Sequence, residues 1–413
     1  MESIIKDAVL DHLLSNGLLN LSQHGFLPKR SCVSNLLGFL DTVTQLVDLN
    51  NDVDVIYLDF QKAFDKVPLN RLMLKISSLG VQGRCSDWIR AWLSNRLQRV
   101  VINGNMSSWM SVSSGVPQGS VLGPLLFLIF INDIDNGLNS EILKFADDTK
   151  LFRKVNNSGD SVALQSDLDK LVDWSQRWQM SFNASKCKVL HLGQSNRNHQ
   201  YSMNGVFLDS VEDERDLGVN ISTSLKPSKQ CAIAAARANR ILGLIRRNFN
   251  CLGREVVLNL YKQLVRPHLE YAIQSWCPFY EKDKFLLEQV QRRATRIISD
   301  IRHLPYECRL RSLGLTTLNL RRIRGDMIQV FKFLSSTDVL SSCNFLKLAS
   351  GSRTRGHSLK LSKDFSRLDI RKFSFAHRVV NEWNSLPARV VNSLSVNDFK
   401  KNIDLFYTNT GRI

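Results

Sequence analysis

Two strand-forming runs in this chain end in carboxylates, and any fold it adopts must bring those ends to a place where the charge is solvated or neutralised. Asp54-Val55-Ile56-Tyr57-Leu58-Asp59-Phe60 is rich in β-branched and aromatic residues and closes on Asp59, after which Lys62-Ala63-Phe64-Asp65 turns towards a helix. Ile142-Leu143-Lys144-Phe145-Ala146-Asp147-Asp148-Thr149-Lys150-Leu151-Phe152 reads as two short strands around an acidic turn, a β-hairpin with Asp147 and Asp148 at its tip. An isolated Asp-Asp pair is usually a solvated turn or a helix cap. Three such acids are different: adjacent like charges are costly unless a cation offsets them, and together they offer hard oxygen ligands suited to Mg²⁺. A carboxylate site of this kind needs no Cys or His, and two cations held by acids point to phosphoryl transfer.

The rest of the sequence is consistent with a folded protein of two or three domains. Its 413 residues are 43% hydrophobic and 23% charged, near globular averages. The longest apolar run, 121–131, covers eleven residues and contains Gly and Pro, too short to span a bilayer. Met1-Glu2-Ser3-Ile4-Ile5-Lys6 lacks the basic and apolar regions of a secretion signal, so an intracellular protein is expected, with nucleus and cytoplasm as its compartments. Eight cysteines lie at least twenty residues apart with no CxxC pair, and are read as reduced, mostly buried thiols.

Periodicity predicts helices within 1–50, 70–95 and 161–178, strands at 98–105, 109–113 and 188–193, and Arg-rich amphipathic helices at 234–247, 255–264 and 284–298. The charge is segregated along this order. Residues 1–229 hold 23 Lys and Arg against 24 Asp and Glu, whereas residues 230–413 hold 32 against 14. A near-neutral half that performs chemistry, joined to a basic half that neutralises phosphates, accounts for this division. A merely soluble basic surface is the alternative. Trp276, Trp383 and the pairs Arg246-Arg247, Arg292-Arg293 and Arg321-Arg322 lie in the basic half, and Gly351-Ser352-Arg353-Thr354-Arg355-Gly356 has the composition of a mobile phosphate-contacting loop.

Tyr57-Leu58-Asp59-Phe60-Gln61-Lys62-Ala63-Phe64-Asp65, Ser114-Gly115-Val116-Pro117-Gln118-Gly119-Ser120 and Phe145-Ala146-Asp147-Asp148 resemble, in order and spacing, the reverse transcriptase signatures of non-LTR (LINE-type) retrotransposons, in the jockey and chicken-repeat branch. The likeness extends through 23–31, 183–186 and 217–219 and into the tail at 264–271 and 290–294. It implies an α+β right-hand polymerase: fingers and palm over 1–225 with a core at about 20–195, a helical thumb-like region over 226–335, and a basic accessory region over 336–413. The expected partners are an RNA template, a DNA primer or target, and dNTPs, with two Mg²⁺ ions, or Mn²⁺ in their place, and no membrane.

By the same resemblance Asp59 and Asp147 would be the main metal ligands, with Asp148 completing the acidic site and the Phe60 carbonyl assisting. Phe64 would exclude a 2′-hydroxyl from the incoming nucleotide. Gln118 and Gly119 would lie beneath the template and the new base pair, where Gly permits close backbone approach. Lys186 would neutralise or protonate departing pyrophosphate, with Lys188 a competitor for that role. Lys29 and Arg30 would contact the triphosphate or the template backbone; Leu27 stands where many relatives carry Arg, which leaves open which cation does so.

The resemblance also has gaps. Met1 falls inside the polymerase region, the endonuclease domain that relatives carry upstream is not in this sequence, and the segment before Gln23 is shortened, so a truncated copy or a partial gene model is expected. Neither an RNase H-like acidic set nor a Cys-rich knuckle follows residue 230. Two rivals remain at this level. A viral-type RNA-dependent RNA polymerase would share the acids and use Asp65 to read a ribose hydroxyl, against which stand Phe64, Ala146 and the 114–120 loop. A catalytically inactive remnant would bind nucleic acid only, through its basic half.

Overall fold

The computed structural model describes residues 1–249, 253–335, 346–349 and 356–412, so most of the basic loop expected at 351–356 lies outside the described residues. The chain forms two compact units, one from Met1–Asn35 and Asn51–Glu212, the other from Leu36–Asn50 and Asp213–Ile413. It is an α+β protein with antiparallel sheets.

The first unit is built on a five-stranded sheet. Its strands are β1 (Val53–Leu58), β2 (Glu141–Phe145), β3 (Asp148–Lys154), β4 (Lys188–Leu192) and β5 (Asp209–Val211), in the spatial order β5-β4-β1-β3-β2. All pairings are antiparallel except β5 with β4. The apolar, β-branched run of β1 takes the centre because a strand covered on both faces needs apolar side chains in both directions. In the register of β1 on β3, Leu58 faces Thr149, which brings the end of β1 to the turn between β2 and β3.

Against this sheet lies a helix over Gly123–Ile131, apolar all round and buried at eight of its nine residues. A longer helix over Ser158–Trp178 starts with a reciprocal capping box between Asn157 and Asp160. Phe130 packs edge-to-face on Trp174 and Trp178, and the Lys75 ammonium lies 4.6 and 3.8 Å from those two rings while pairing with Asp133. Burial lowers this lysine to about 8. A second buried charge, Asp54 inside β1, is fully satisfied: His191 Nδ1 lies at 2.7 Å, Tyr201 donates at 2.6 Å and Asn196 at 2.8 Å, and His191 Nε2 lies 3.0 Å from the Ser210 hydroxyl. That chain of bonds pins β5 and the loop before it to the sheet.

In the second unit the helices over Ser228–Asn248 and Glu281–Arg296 pack together, and Leu318–Ser335, Phe375–Ser385 and Val396–Asn409 enclose Phe331, Trp383 and Phe399. The helix expected at 255–264 widens into a π-turn over Tyr261–Val265 just before Pro267, which supplies no N–H to the ladder. Buried ion pairs join Arg378 to Asp326 and Arg371 to Asp41. No helix among the described residues is long and apolar enough to cross a membrane. The six described cysteines are unpaired; Cys187 and Cys231 are buried and the other four half-buried, while Cys251 and Cys343 lie outside the described residues.

Candidate active site

Asp59 follows the last residue of β1 and Asp147 occupies the two-residue turn between β2 and β3, so a single antiparallel pairing sets them beside each other. Burial holds the Asp147 carboxyl above the ordinary carboxylate range, and the Asp59 charge pushes it the same way. Asp59 Oδ2 is enclosed and accepts no hydrogen bond; Lys186 Nζ lies 3.3 Å from it. Asp148 opens β3, paired with Phe145, and is exposed.

The turn that carries Asp147 is held from a distance. Ala146 has a positive φ of 55°, an unusual conformation for a residue with a Cβ. The buried Gln23 amide supports it on both sides: its oxygen accepts from Ala146 N at 2.9 Å and from Gly25 N at 2.7 Å, and its nitrogen donates to Ala146 O at 3.3 Å. Gly25 packs so closely that a Cβ there would lie 2.4 Å from Ala146 N. The sequence reading of this segment rests on its family likeness and on Lys29 and Arg30, and gives Gln23 no role of its own; no local pattern marks a glutamine that will brace a turn 123 positions away. Within the same loop Lys29 is exposed with φ of 63°, while Arg30 Nη1 donates to the carbonyls of Leu21 and Gln23 and so ties the loop to itself.

Beyond Asp59 the chain stays beside the segment that precedes β4. Phe60 stacks on Phe182 at 4.4 Å, and Asn183 N donates to the Asp59 carbonyl at 2.7 Å. Phe64 is half-buried, stacked on Phe127 at 4.4 Å and edge-to-face with Phe26. The Phe64 carbonyl accepts from Val116 N at 2.8 Å, which docks the 114–120 loop on this turn. Asp65 completes the docking: its carbonyl accepts from Ser114 Oγ and its carboxylate from Gln118 Nε2, each at 2.8 Å. Gly115 has φ of 88° and a Cβ there would lie 2.6 Å from the Asp65 carbonyl, so both conformation and space require glycine. Gly119, with φ of 81°, faces open space. The two lysines left open by the sequence take different neighbours: Lys186 stands at Asp59, whereas Lys188 donates to Asp209 at 2.7 Å and to the Ser185 carbonyl at 3.0 Å.

Residues 1–246 match the family model described as reverse transcriptase (RNA-dependent DNA polymerase). This chain is a member of the reverse transcriptase family. Among curated reverse transcriptases it is 32% identical over 235 residues to the RNA-directed DNA polymerase from mobile element jockey of Drosophila funebris, covering 53% of this chain and 25% of that protein. It is 25% identical over 327 residues to the probable RNA-directed DNA polymerase from transposon BS of Drosophila melanogaster, covering 75% of this chain and 35% of that protein. The chain thus spans about a quarter to a third of the length of these relatives. A solved telomerase from Candida tropicalis aligns with a TM-score of 0.45 at 10% identity, over 83% of this chain and 54% of that chain.

Reverse transcriptases use divalent metal ions, and the residues present fit one. Asp59 Oδ2 is a buried oxygen with no hydrogen bond, and Asp147 is a carboxyl whose ionised form is opposed by its surroundings. A hard cation relieves both. Among the described residues no group of three or more His, Cys, Asp or Glu side chains forms a metal centre on its own. Asp59 and Asp147 would supply hard carboxylate oxygens to such an ion.

Proposed function

We propose that this chain is the polymerase portion of a non-LTR retrotransposon protein and extends a DNA 3′-hydroxyl on an RNA template, with the nucleus, where genomic DNA ends occur, as its place of action. The observation that carries this reading is the pairing of Asp59 with Asp147 at the end of the central strands, with the Lys186 ammonium at its edge. Two Mg²⁺ ions held by Asp59 and Asp147, with Asp148 at the outer edge, would lower the pKa of the attacking hydroxyl and stabilise the leaving oxygen; Mn²⁺ can substitute. The O3′–Pα bond forms as the bond from Pα to the β-phosphate oxygen breaks, and the hydroxyl proton is released.

The chain's own residues position these groups. The Phe60 carbonyl would assist the Asp59 carboxylate in holding a metal ion, and Phe64, held by Phe127, would present a ring where a 2′-hydroxyl clashes. Lys186 neutralises the departing pyrophosphate as a mobile point charge. Gln118 and Gly119 lie under the template, and Lys29 and Arg30 shape the loop that approaches the triphosphate. The exposed cations of the helix over Ser228–Asn248, among them Arg237, Arg240 and Arg247, would hold the duplex by its phosphates.

The test is extension of a DNA primer on an RNA template by purified protein with Mg²⁺ and dNTPs. Extension by the wild type, its loss in Asp147→Asn with nucleic-acid binding retained, and rejection of rNTPs are expected. Extension that survives Asp147→Asn would overturn the proposed metal site, and salt-sensitive binding without synthesis in the wild type would identify a remnant that only holds nucleic acid.

A further inference from the structure

Residues 97–111 form a two-stranded ribbon, with Leu97 opposite Ser111, Gln98 opposite Met110, and Val101 opposite Met106. Val100, Val101, Ile102, Met106, Trp109 and Met110 are each more than half exposed. A lone two-stranded ribbon is marginal in water, and six large apolar side chains left exposed on it mark a surface that something else covers.

Charge and ring geometry indicate the chemistry of that partner. Between Asp87 and Asp133 the sequence holds no Asp or Glu, while Arg90, Arg96 and Arg99 fall in the same stretch. A polyanion can approach this segment without meeting a carboxylate of its own. The Arg99 guanidinium lies 4.4 Å above the Trp109 ring, and Trp109 remains 57% exposed, so one indole face is backed by a cation and the other is open. An aromatic face beside a guanidinium is a platform on which a nucleic-acid base stacks with little regard to sequence. At its root the ribbon is tied to the docked loop, since Arg96 donates to the carbonyls of Ser114 and Gly115.

We infer that this ribbon is a stacking arm for single-stranded nucleic acid, which takes a base of the unpaired template on the open face of Trp109 and a phosphate on Arg99. The inference rests on the proposed polymerase reading for the identity of the strand as template. The stacking and the charge stand without it. A second copy of the chain or another protein would use the apolar residues alone, and neither the acid-free stretch nor the guanidinium-backed indole would serve it.

The experiment uses the full chain and a fluorescein-labelled oligouridine, with binding followed by anisotropy across a salt series. Trp109→Ala and Arg99→Glu should each weaken binding roughly tenfold, and Trp109→Phe should restore most of it because the ring is kept. Arg99→Glu should also lower the slope of log affinity against log salt by at least about 0.7, the value for one phosphate contact on a single strand. Thermal melting of each variant establishes that it is folded; because the ribbon is exposed, no change is expected there. Unchanged oligouridine affinity in folded Trp109→Ala and Arg99→Glu overturns the inference, as does a shift from dimer to monomer in size-exclusion chromatography with RNA binding intact. Primer extension run in parallel separates the two readings. Trp109-dependent RNA binding without synthesis leaves the arm standing and removes the polymerase, whereas synthesis with unaltered RNA affinity does the reverse. If both hold, Trp109→Ala should raise the KM for a template with a long unpaired 5′ end more than the KM for one with a single-nucleotide overhang.

Discussion

His24 lies in the first unit against Ser34, its Nδ1 2.8 Å from the hydroxyl, and only 3% of its surface is exposed. Burial, with help from the charges of Arg30 and Lys150, lowers it from the usual 6.5 to about 3. Between those values the unfolded chain binds a proton that the folded chain refuses, so stability falls as pH drops from 6.5 towards 3 and changes no further below that. Each unit of pKa difference corresponds to about 1.4 kcal/mol. We expect the wild type, compared with His24→Gln, to lose roughly 2.5 kcal/mol more between pH 7 and pH 4.5, measured by urea denaturation with a probe in the first unit. Equal losses in the two proteins would show that His24 protonates without cost. The same residue-scale reasoning separates Lys186, preferred by the resemblance, from its competitor Lys188: Asp209 on the edge strand takes Lys188, whereas Lys186 stands at Asp59.

At the scale of the element, the β2–β3 hairpin is the part on which the acid pair depends. Its two strand-like runs are legible in the sequence and the observed strands fall on them, but the tip is Ala146-Asp147, and Asp148, expected beside Asp147 in the turn, already opens β3 opposite Phe145. The support it receives from Gln23 and Gly25 is not legible, because it comes from a segment more than a hundred residues earlier. Gly25→Ala should force the brace off Ala146; a shift of that kind costs about 1 to 3 kcal/mol. We expect a lowered melting temperature and at least a tenfold loss of primer extension, with oligouridine affinity unchanged. A fully active Gly25→Ala protein would show that the turn holds without the brace. The ribbon at 97–111 makes the complementary point: sequence patterning identifies its strands, yet whether its apolar residues face a core or solvent depends on what packs beside them.

For the whole molecule the governing quantity is the distribution of charge. The excess of 32 Lys and Arg over 14 Asp and Glu beyond residue 229 is a property of the sequence alone, and the helices predicted there are present. What the fold adds is orientation. The helix over Ser228–Asn248 buries Ala234, Ala235, Ala238 and Leu242 and leaves Arg237, Arg240 and Arg247 exposed, while Arg293 of the helix packed on it hydrogen-bonds Asn239. Replacing Arg240 and Arg247 with Gln should weaken duplex binding for all sequences alike and reduce the salt slope by about two, close to 0.9 per phosphate contact. An unchanged slope would place the phosphate-binding surface elsewhere on the basic unit. Other basic residues have internal duties: Arg321 pairs with Glu270, and Arg292 lies 4.0 Å over the Tyr306 ring.

The sequence by itself determined much of the local and the additive character of this protein: the strand runs of β1 to β4, the long helices, that acids gather at strand ends, and that one half is basic, though it did not mark β5. These follow from side-chain periodicity, backbone preference and a sum of charges, none of which requires knowing what lies far along the chain. Tertiary structure decided the rest. The placement of Asp59 beside Asp147 needs β1 to pair with β3 across some ninety residues in one register, and a slip by one position would turn every side chain to the other face. The brace of Gln23, the docking of the 114–120 loop on Asp65, the partner of each lysine and the exposure of Trp109 all arise from contacts between segments distant in sequence. Such contacts are selected by packing and hydrogen-bond satisfaction of the whole unit, and no local stretch of residues carries that information.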